Sequence, residues 1–225
     1  MKNILDRIDN AKYVMIVVDA KYLSGASALY TYILRLHKKV SLVCQTKNIS
    51  NRLSFLPWFE KIKSSKTESA DFVIELKNGS IELYDLFKYL NIKINPKMAT
   101  ALYGGLLLET KGFTNTEVNG TIFAMAQELI ECGANHKMCS DSVLKSTTLS
   151  ALRLKSIMLK NMVLKNNAKA AVFFISNNDI KSSGCVCEDL EEHLIESLKL
   201  PYVELSVLLD ADNEYEVLKL IYKEI

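Results

Sequence analysis

The sequence predicts an α/β fold with an N-terminal parallel-sheet domain, a helical connector and a smaller C-terminal α/β lobe. Before Ser80, apolar runs rich in β-branched residues alternate with a helical pattern, which is typical of a buried parallel sheet. A long stretch of helical periodicity follows and reaches about Leu159. The residues after it return to a mixture of strand and helix patterns, which indicates a second α/β layer.

The N-terminal domain is predicted to contain three buried strands joined by helical or irregular segments. A helix over Ser24–His37 follows the first strand and makes a strand–helix–strand unit, whose two strands run parallel. Pro57 interrupts the pattern of residues 51–63, so two short pieces are expected there. The three strands cover Tyr13–Ala20, Val40–Gln45 and Asp71–Leu76.

The middle of the chain is predicted to form successive helices. Asn78-Gly79 is a turn signal before the first of them, and Asn95 with Pro96 suits the cap and first residue of the second. Gly104-Gly105 lies inside the apolar run of that second helix, which favours close packing of the helix against a strand over a phosphate-binding loop. The predicted helices cover Ser80–Leu90, residues from Pro96, Thr116–Cys132, His136–Lys145 and Thr148–Lys160.

The C-terminal lobe is predicted as two strands that flank a helix, followed by a hairpin. The strands are Ala170–Ser176 and Tyr202–Leu209, and Pro201 ends the helix over Glu188–Leu200. Residues Tyr215–Tyr222 can pair back as a hairpin strand.

Composition places the chain among cytoplasmic globular proteins without a membrane partner. The net charge of +2 is too small to indicate a nucleic-acid partner by itself, and only four arginines are present. No apolar run reaches the length of a membrane span, and the N-terminus lacks the pattern of a signal peptide. Five cysteines, an odd number, argue against a disulfide framework. Cys185 and Cys187 are expected to lie in a turn, because a metal site would need more ligands nearby.

Residues 102–135, LYGGLLLETKGFTNTEVNGTIFAMAQELIECGAN, resemble the segment that closes the catalytic domain of the DHH-family phosphoesterases. That family includes nanoRNases and cyclic-dinucleotide phosphodiesterases, and its segment reads roughly Y-x-G-L-x-x-D-T-G-x-F before an N-T helix. Further similarity covers Tyr13–Val43, the S-x-x-R-L connector at Leu149–Leu164, and Ala168–Leu209, where a turn spans Asp179–Gly184. The resemblance implies a DHH-like domain over 1–145, a connector over 146–162 and a truncated DHH-associated domain over 163–225.

The resemblance also implies a site for two divalent ions, but most of the family's ligands are replaced. Such a site needs a cluster of carboxylates and His. The family's first motif, H-x-N-P-D-x-D, aligns with residues 17–23, so Val17 replaces the His and Lys21 and Leu23 replace the two Asp. Asp19 falls where the family has Asn.

The later motifs are also altered. Glu75 is the nearest residue to the second motif's Asp, although a strand residue can also face solvent. The Asp-His-His motif is absent, because no His lies between His37 and His136. Glu109 takes the place of the fourth motif's Asp, and its longer side chain would displace an ion. The family's glycine-rich His loop is missing too, since no glycine follows Gly184.

Lys21 has two interpretations that the sequence leaves open. Its ammonium would repel a divalent ion and could pair with Asp19 or Glu109 in a metal-free vestigial cleft. Alternatively, Lys21 extends into solvent from the end of a strand.

The favoured hypothesis is a pseudoenzyme, without catalytic residues, cofactor or metal, that acts by binding. Its partner is a protein, a second copy of the chain in a homodimer, or a weakly held nucleotide or short nucleic acid. Vestigial-cleft candidates are Asp19, Lys21, Glu75 and Glu109. The apolar helices of residues 80–130 could form a dimer face, or their aromatic residues could simply be core: Tyr84, Phe87, Tyr89 and Phe123.

Two alternatives stand beside this hypothesis. In the first, the chain is an active phosphoesterase on short oligonucleotides or cyclic dinucleotides, with Asp19, Glu75 and Glu109 converging on Mn²⁺ or Mg²⁺. In the second, the resemblance is misleading and the chain is an unrelated α/β binding protein.

Overall fold

The computed structural model of the chain describes residues 2–47, 49–66, 69–184 and 190–223. The chain divides into two units, unit 1 over Met1–Ser146 and unit 2 over Thr147–Ile225. Each unit combines a sheet with helices, which confirms the predicted α/β class. In the described part of the chain, no helix is both long enough and apolar enough to cross a membrane.

Unit 1 is built on a four-stranded parallel sheet in the order β3-β2-β1-β4. All six residues of β1 are buried, because this strand lies inside the sheet and its apolar side chains are covered on both faces. Three of the strands were predicted, and β3 was missed because two residues carry no readable pattern. The strands are β1 Tyr13–Val18, β2 Lys39–Cys44, β3 Ile62–Lys63 and β4 Phe72–Leu76.

The helices of unit 1 pack around one central helix, α4. Its residues from Met98 to Leu107 are all buried, since this helix is apolar on every side. Asn95 caps α4 as predicted, because its side-chain oxygen accepts the Met98 N–H at 2.9 Å. The helices are α1 Lys2–Asn10, α2 Leu23–Arg35, α3 Ser80–Tyr89, α4 Pro96–Glu109, α5 Gly120–Glu131 and α6 His136–Ser140, which a π-helical turn over Asp141–Lys145 extends.

The aromatic residues proposed for a dimer face do not share one surface. Tyr84 and Phe87 on α3 are 7% and 0% exposed, so they belong to the core of unit 1. Tyr89 and Phe123 are exposed. The core interpretation therefore holds for the first pair.

Unit 2 contains a mixed four-stranded sheet in the order β5-β6-β7-β8, in which only β6 and β7 run parallel. Helix α7, which was predicted as a connector, places Leu154 and Met158 in this unit's core beside Phe173 and Leu208. Strand β5 was not predicted. The elements are α7 Leu149–Lys160, β5 Val163–Lys165, β6 Ala170–Ile175, α8 Asn177–Ser183, α9 Leu190–Ser197, β7 Leu205–Asp210 and β8 Val217–Tyr222.

The turn predicted over Asp179–Gly184 is largely a helix, α8. Ser176 and Asp179 form a capping box, with the Asp179 carboxylate accepting the Ser176 N–H at 3.0 Å. Gly184 ends α8 in the left-handed conformation at φ 71°. Cys185 and Cys187 lie outside the described residues.

Candidate functional site

The topology of the unit 1 sheet points to one edge as the candidate site. From β1 the chain moves first to β2 on one side and later to β4 on the other. In parallel α/β sheets, ligands bind beyond the carboxyl ends of the strands where the order reverses in this way. Here that point lies between the loop after Val18 and the segment after Leu76.

Asp19 begins the loop after β1, and its backbone holds that loop in place. The Asp19 carbonyl accepts the Tyr22 N–H at 3.0 Å, and the Ala20 N–H donates to Thr46 Oγ1 at 3.0 Å. The carboxylate of Asp19 makes no capping hydrogen bond and the residue is exposed. Asp19 therefore shapes the loop through its main chain.

Lys21 forms no ion pair with Asp19 or Glu109, the carboxylates proposed as its partners. The residue is exposed, and its Nζ lies 5.2 Å from the centre of the Tyr22 ring. No described carboxylate lies within ion-pair distance of this ammonium. The arrangement agrees with the interpretation of a lysine that extends into solvent, and not with the predicted salt bridge.

Two positions that the resemblance aligns with metal ligands are part of the hydrophobic core. Val17, at the His position, is 2% exposed, and Leu23, at an Asp position, is 0% exposed. Polar ligands buried at these positions would each need a partner to offset the cost of desolvation. Both positions therefore carry buried apolar side chains that offer no ligand atom to a metal.

Glu75 faces solvent on β4. Its side chain is 63% exposed and forms an ion pair with Lys66 at 3.7 Å. It pairs in register with Val17 of β1, so the two side chains share one face of the sheet. The solvent interpretation of Glu75 is the one that agrees with this position.

Glu109, the last residue of α4, receives hydrogen bonds from the first turn of α3. Its carboxylate accepts the Ser80 N–H at 2.5 Å and the Ile81 N–H at 3.4 Å. The first N–H groups of a helix lack partners within that helix, and the helix dipole makes this end positive. Glu109 thus caps α3 from a neighbouring helix, a role that sequence reasoning did not find.

Glycines allow this capping contact. A Cβ atom on Gly79 would lie 2.6 Å from Glu109 Oε2, so a larger residue there would displace the carboxylate from its present position. On α4, a Cβ on Gly105 would lie 1.8 Å from Ser80 Oγ and 2.8 Å from Ser24 Cβ. Gly105 and Glu109 are four residues apart and therefore lie on the same face of α4. That face approaches the starts of α2 and α3 closely enough for Glu109 to reach Ser80.

The predicted close packing of Gly104-Gly105 is confirmed, although the partners differ from the expected strand. A Cβ on Gly104 would lie 2.0 Å from the Phe55 ring. Gly104 therefore packs against an aromatic ring, and Gly105 packs against the first turns of α2 and α3. Beside them, the Ser24 hydroxyl is buried and finds no hydrogen-bond partner among the described residues.

The candidate acids do not form a metal centre in the part of the chain that the structure describes. No three His, Cys, Asp or Glu side chains come close enough there to hold an ion together. Asp19, Glu75 and Glu109 therefore do not converge as the active alternative requires.

The sequence matches no protein-family model and no curated protein. Comparison with solved structures does find similar folds. The chain shares the fold of an exopolyphosphatase-related protein from Bacteroides fragilis. The TM-score is 0.74 at 16% identity, over 95% of this chain and 80% of that one. A family II inorganic pyrophosphatase from Methanococcus jannaschii also matches, at 13% identity over 88% and 83% of the two chains, but its TM-score of 0.35 is too low to indicate a shared fold.

A second polar group lies at the far ends of α3 and α5, where a cavity of about 610 Å³ opens. The Tyr84 hydroxyl donates to Glu128 Oε2 at 2.7 Å, and the Lys88 ammonium donates to Glu128 Oε1 at 2.5 Å. The hydrogen bonds from Lys88 and Tyr84 lower the pKa of Glu128. Burial, and then Glu128, raise the pKa of Tyr84. Sequence reasoning missed this group because Tyr84 and Glu128 are 44 residues apart.

Replacing Tyr84 by Phe is expected to lower the free energy of unfolding by about 1 kcal/mol at pH 7, because one hydrogen bond is lost. The difference from the wild type should shrink as the pH rises above 10, the ordinary pKa of tyrosine. There the unfolded wild type ionises Tyr84 while the folded protein keeps the proton, so the wild type loses stability. Urea unfolding from pH 7 to 11 measures the effect.

Tyr89, which is 73% exposed, supplies the matched control. Tyr89→Phe should leave the pH profile of stability unchanged. A difference between Tyr84→Phe and the wild type that stays constant up to pH 11 would contradict the assignment.

Proposed function

We propose that this chain is a pseudoenzyme of the DHH phosphoesterase type that acts in the cytoplasm by binding. The capping of α3 by Glu109 carries the proposal. The resemblance aligns Glu109 with an Asp that ligates metal, but its carboxylate accepts two N–H groups of α3 instead. An oxygen used in this way is oriented towards a helix end and is less available to an ion.

The other aligned positions support the same conclusion. Val17 and Leu23 are buried apolar residues, and Lys21 brings a positive charge to the loop after β1. The positive charge of Lys21 repels a divalent ion at that loop. The fold shared with an exopolyphosphatase-related protein supports descent from an enzyme that acted on phosphate esters or anhydrides.

The binding partner is a protein or a weakly held nucleotide. The N-terminus of α3 would be the natural site for a phosphate, but Glu109 already occupies it and Glu82 lies in the same first turn. A nucleotide at this edge of the unit 1 sheet would therefore bind without a metal ion and without hydrogen bonds from the N-terminus of α3. Its affinity should be low and should be the same in Mn²⁺ and in EDTA.

Calorimetric titration with Mn²⁺ tests the proposal directly. We expect only heats of dilution, with any dissociation constant weaker than about 1 mM. Titration of EDTA with the same Mn²⁺ stock confirms that the metal is active. Micromolar binding that Glu109→Gln abolishes would overturn the proposal, because the exchange removes the charge of one candidate ligand.

Hydrolysis of a short RNA dinucleotide in Mn²⁺ provides the functional test. The wild type and Glu109→Ala should both remain at the background rate. Turnover in the wild type that disappears in Glu109→Ala would instead establish the active phosphoesterase alternative.

A further inference from the structure

The cavity of about 610 Å³ in unit 1 lies where the ends of α3 and α5 meet the start of α4. Sites for small ligands typically have volumes of about 300–1,000 Å³, with mostly apolar walls and a few polar groups that orient the ligand. The residues that line this cavity include none of the vestigial-cleft candidates. The cavity therefore offers a second place, apart from the edge of the unit 1 sheet, where a ligand can bind.

One part of the cavity wall is apolar. It is formed by Ile92, Ile94, Pro96 and Cys132. The Ile92 N–H donates to the Phe87 carbonyl at 2.8 Å, which holds the connection between α3 and α4 against the end of α3. Ile94 is only 8% exposed, so its position is fixed by the core. An apolar group of a ligand gains free energy when it leaves water for such a wall.

Two of the four charged residues that line the cavity neutralise each other, and two remain. The Lys88 ammonium donates to the Glu128 carboxylate at 2.5 Å. Glu131 accepts a hydrogen bond from Gln127 Nε2 at 2.9 Å. Among the described residues, neither Lys93 nor Glu131 has an ion-pair partner. These two residues therefore line one cavity with opposite charges and do not pair with each other.

The helix ends at the cavity add to both charges. Helix α5 ends at Glu131 and α3 ends nearby at Tyr89, and the C-terminal end of a helix dipole is negative. These ends attract an ammonium group to the side of Glu131. Helix α4 begins at Pro96, shortly after Lys93, and its positive N-terminal end attracts a carboxylate.

We propose that this cavity binds a small zwitterion, either an apolar amino acid or a short apolar peptide with free ends. Glu131 would accept hydrogen bonds from the ammonium group, and Lys93 would donate to the carboxylate. The apolar side chain would contact Ile92 and Ile94. The proposal is independent of whether the edge of the unit 1 sheet binds a ligand or a metal.

Other classes of ligand fit these charges less well. A phosphate group would meet Glu131 and the negative ends of α3 and α5, and a ligand with a single charge would leave either Lys93 or Glu131 uncompensated. A divalent cation would lack ligands, because no three His, Cys, Asp or Glu side chains come together in the described residues. Only a ligand with both charges compensates both residues.

Titration of the full chain with leucine and with leucyl-leucine, followed by NMR, tests the proposal. We expect a dissociation constant between about 0.1 and 10 mM for the better ligand, because Lys93 and Glu131 are exposed to water. The tighter of the two identifies the amino acid or the peptide as the ligand class. Leucinamide lacks the carboxylate and N-acetyl-leucine lacks the ammonium group, so each should bind about fivefold more weakly than leucine, or weaker still.

Two substitutions assign the two charges. Lys93→Gln should weaken leucine binding about fivefold and leave leucinamide binding unchanged, because leucinamide has no carboxylate to contact Lys93. Glu131→Gln should weaken leucine binding to a similar extent and leave N-acetyl-leucine binding unchanged. Lys63→Gln, at an exposed position on β3 that does not line the cavity, is the matched control and should bind like the wild type.

Alkylation of Cys132 locates the ligand, since this half-buried thiol lines the cavity. Saturating leucine should slow the reaction of Cys132 with iodoacetamide severalfold, as measured by peptide mapping. Binding of neither leucine nor leucyl-leucine at about 10 mM would overturn the proposal. So would binding that neither Lys93→Gln nor Glu131→Gln weakens, or saturation that leaves the alkylation rate of Cys132 unchanged.

Discussion

Gly105→Ala is expected to lower the free energy of unfolding by about 3 kcal/mol, the upper end for overpacking a core. The added methyl group would lie 1.8 Å from Ser80 Oγ and 2.8 Å from Ser24 Cβ. Rotation of the Ser80 hydroxyl does not relieve the clash, because Ser80 Cβ is also only 2.6 Å away. The starts of α2 and α3 must therefore move away from α4.

Chemical denaturation of the full chain measures this effect, with Gly120→Ala as the matched control. Gly120 is also a helical glycine, but nothing lies within 4 Å of the position of its missing Cβ. Alanine there should change stability by less than about 1 kcal/mol, in the stabilising direction. Equal effects of the two substitutions would show that α4 does not approach α2 and α3 as closely as the structure indicates.

Glu109→Ala is expected to lower the free energy of unfolding by about 1–2 kcal/mol in buffer that contains EDTA. The Ser80 and Ile81 N–H groups lose their acceptor, and the positive end of the α3 dipole loses a negative partner. Glu109→Gln should have a smaller effect, because the amide oxygen can still accept a hydrogen bond. A residue kept only as a metal ligand would give no loss of stability without metal.

Glu117→Ala is the control, since Glu117 is an exposed acid close to Glu109 in sequence. It should leave stability unchanged within about 0.5 kcal/mol. Combining Glu109→Ala with Gly105→Ala should cost less than the sum of the two effects by about 0.5 kcal/mol or more, because both act on the contact with α3. Additive effects would show that the packing of Gly105 and the capping of α3 by Glu109 are independent of each other.

Much of the fold follows from local patterns. Strands β1, β2 and β4 are continuous or alternating apolar segments, and their burial agrees with those patterns. Helix α4 begins where Asn95 and Pro96 predict, because capping and the fixed φ of proline act within one turn. The α/β class depends on such signals.

The missed features depend on contacts that are distant in sequence. Strands β3 and β5 have two and three residues, so they exist only because a longer strand is available beside them. The group of Tyr84, Lys88 and Glu128 forms where the ends of two helices meet. The hydrophobic periodicity of each helix does not predict which helix ends will lie side by side.

The candidate site also combines features that the sequence predicts with features that only the tertiary structure shows. The sequence alone determined that Val17, Lys21 and Leu23 stand where the resembling family has metal ligands, since side-chain chemistry is read directly from residue identity. Only the tertiary structure decided what Glu109 does. Its partner Ser80 is 29 residues away, and the two meet because Gly105 lets α4 lie against the start of α3. A carboxylate can bind a metal or cap a helix, and the neighbouring groups select between these roles.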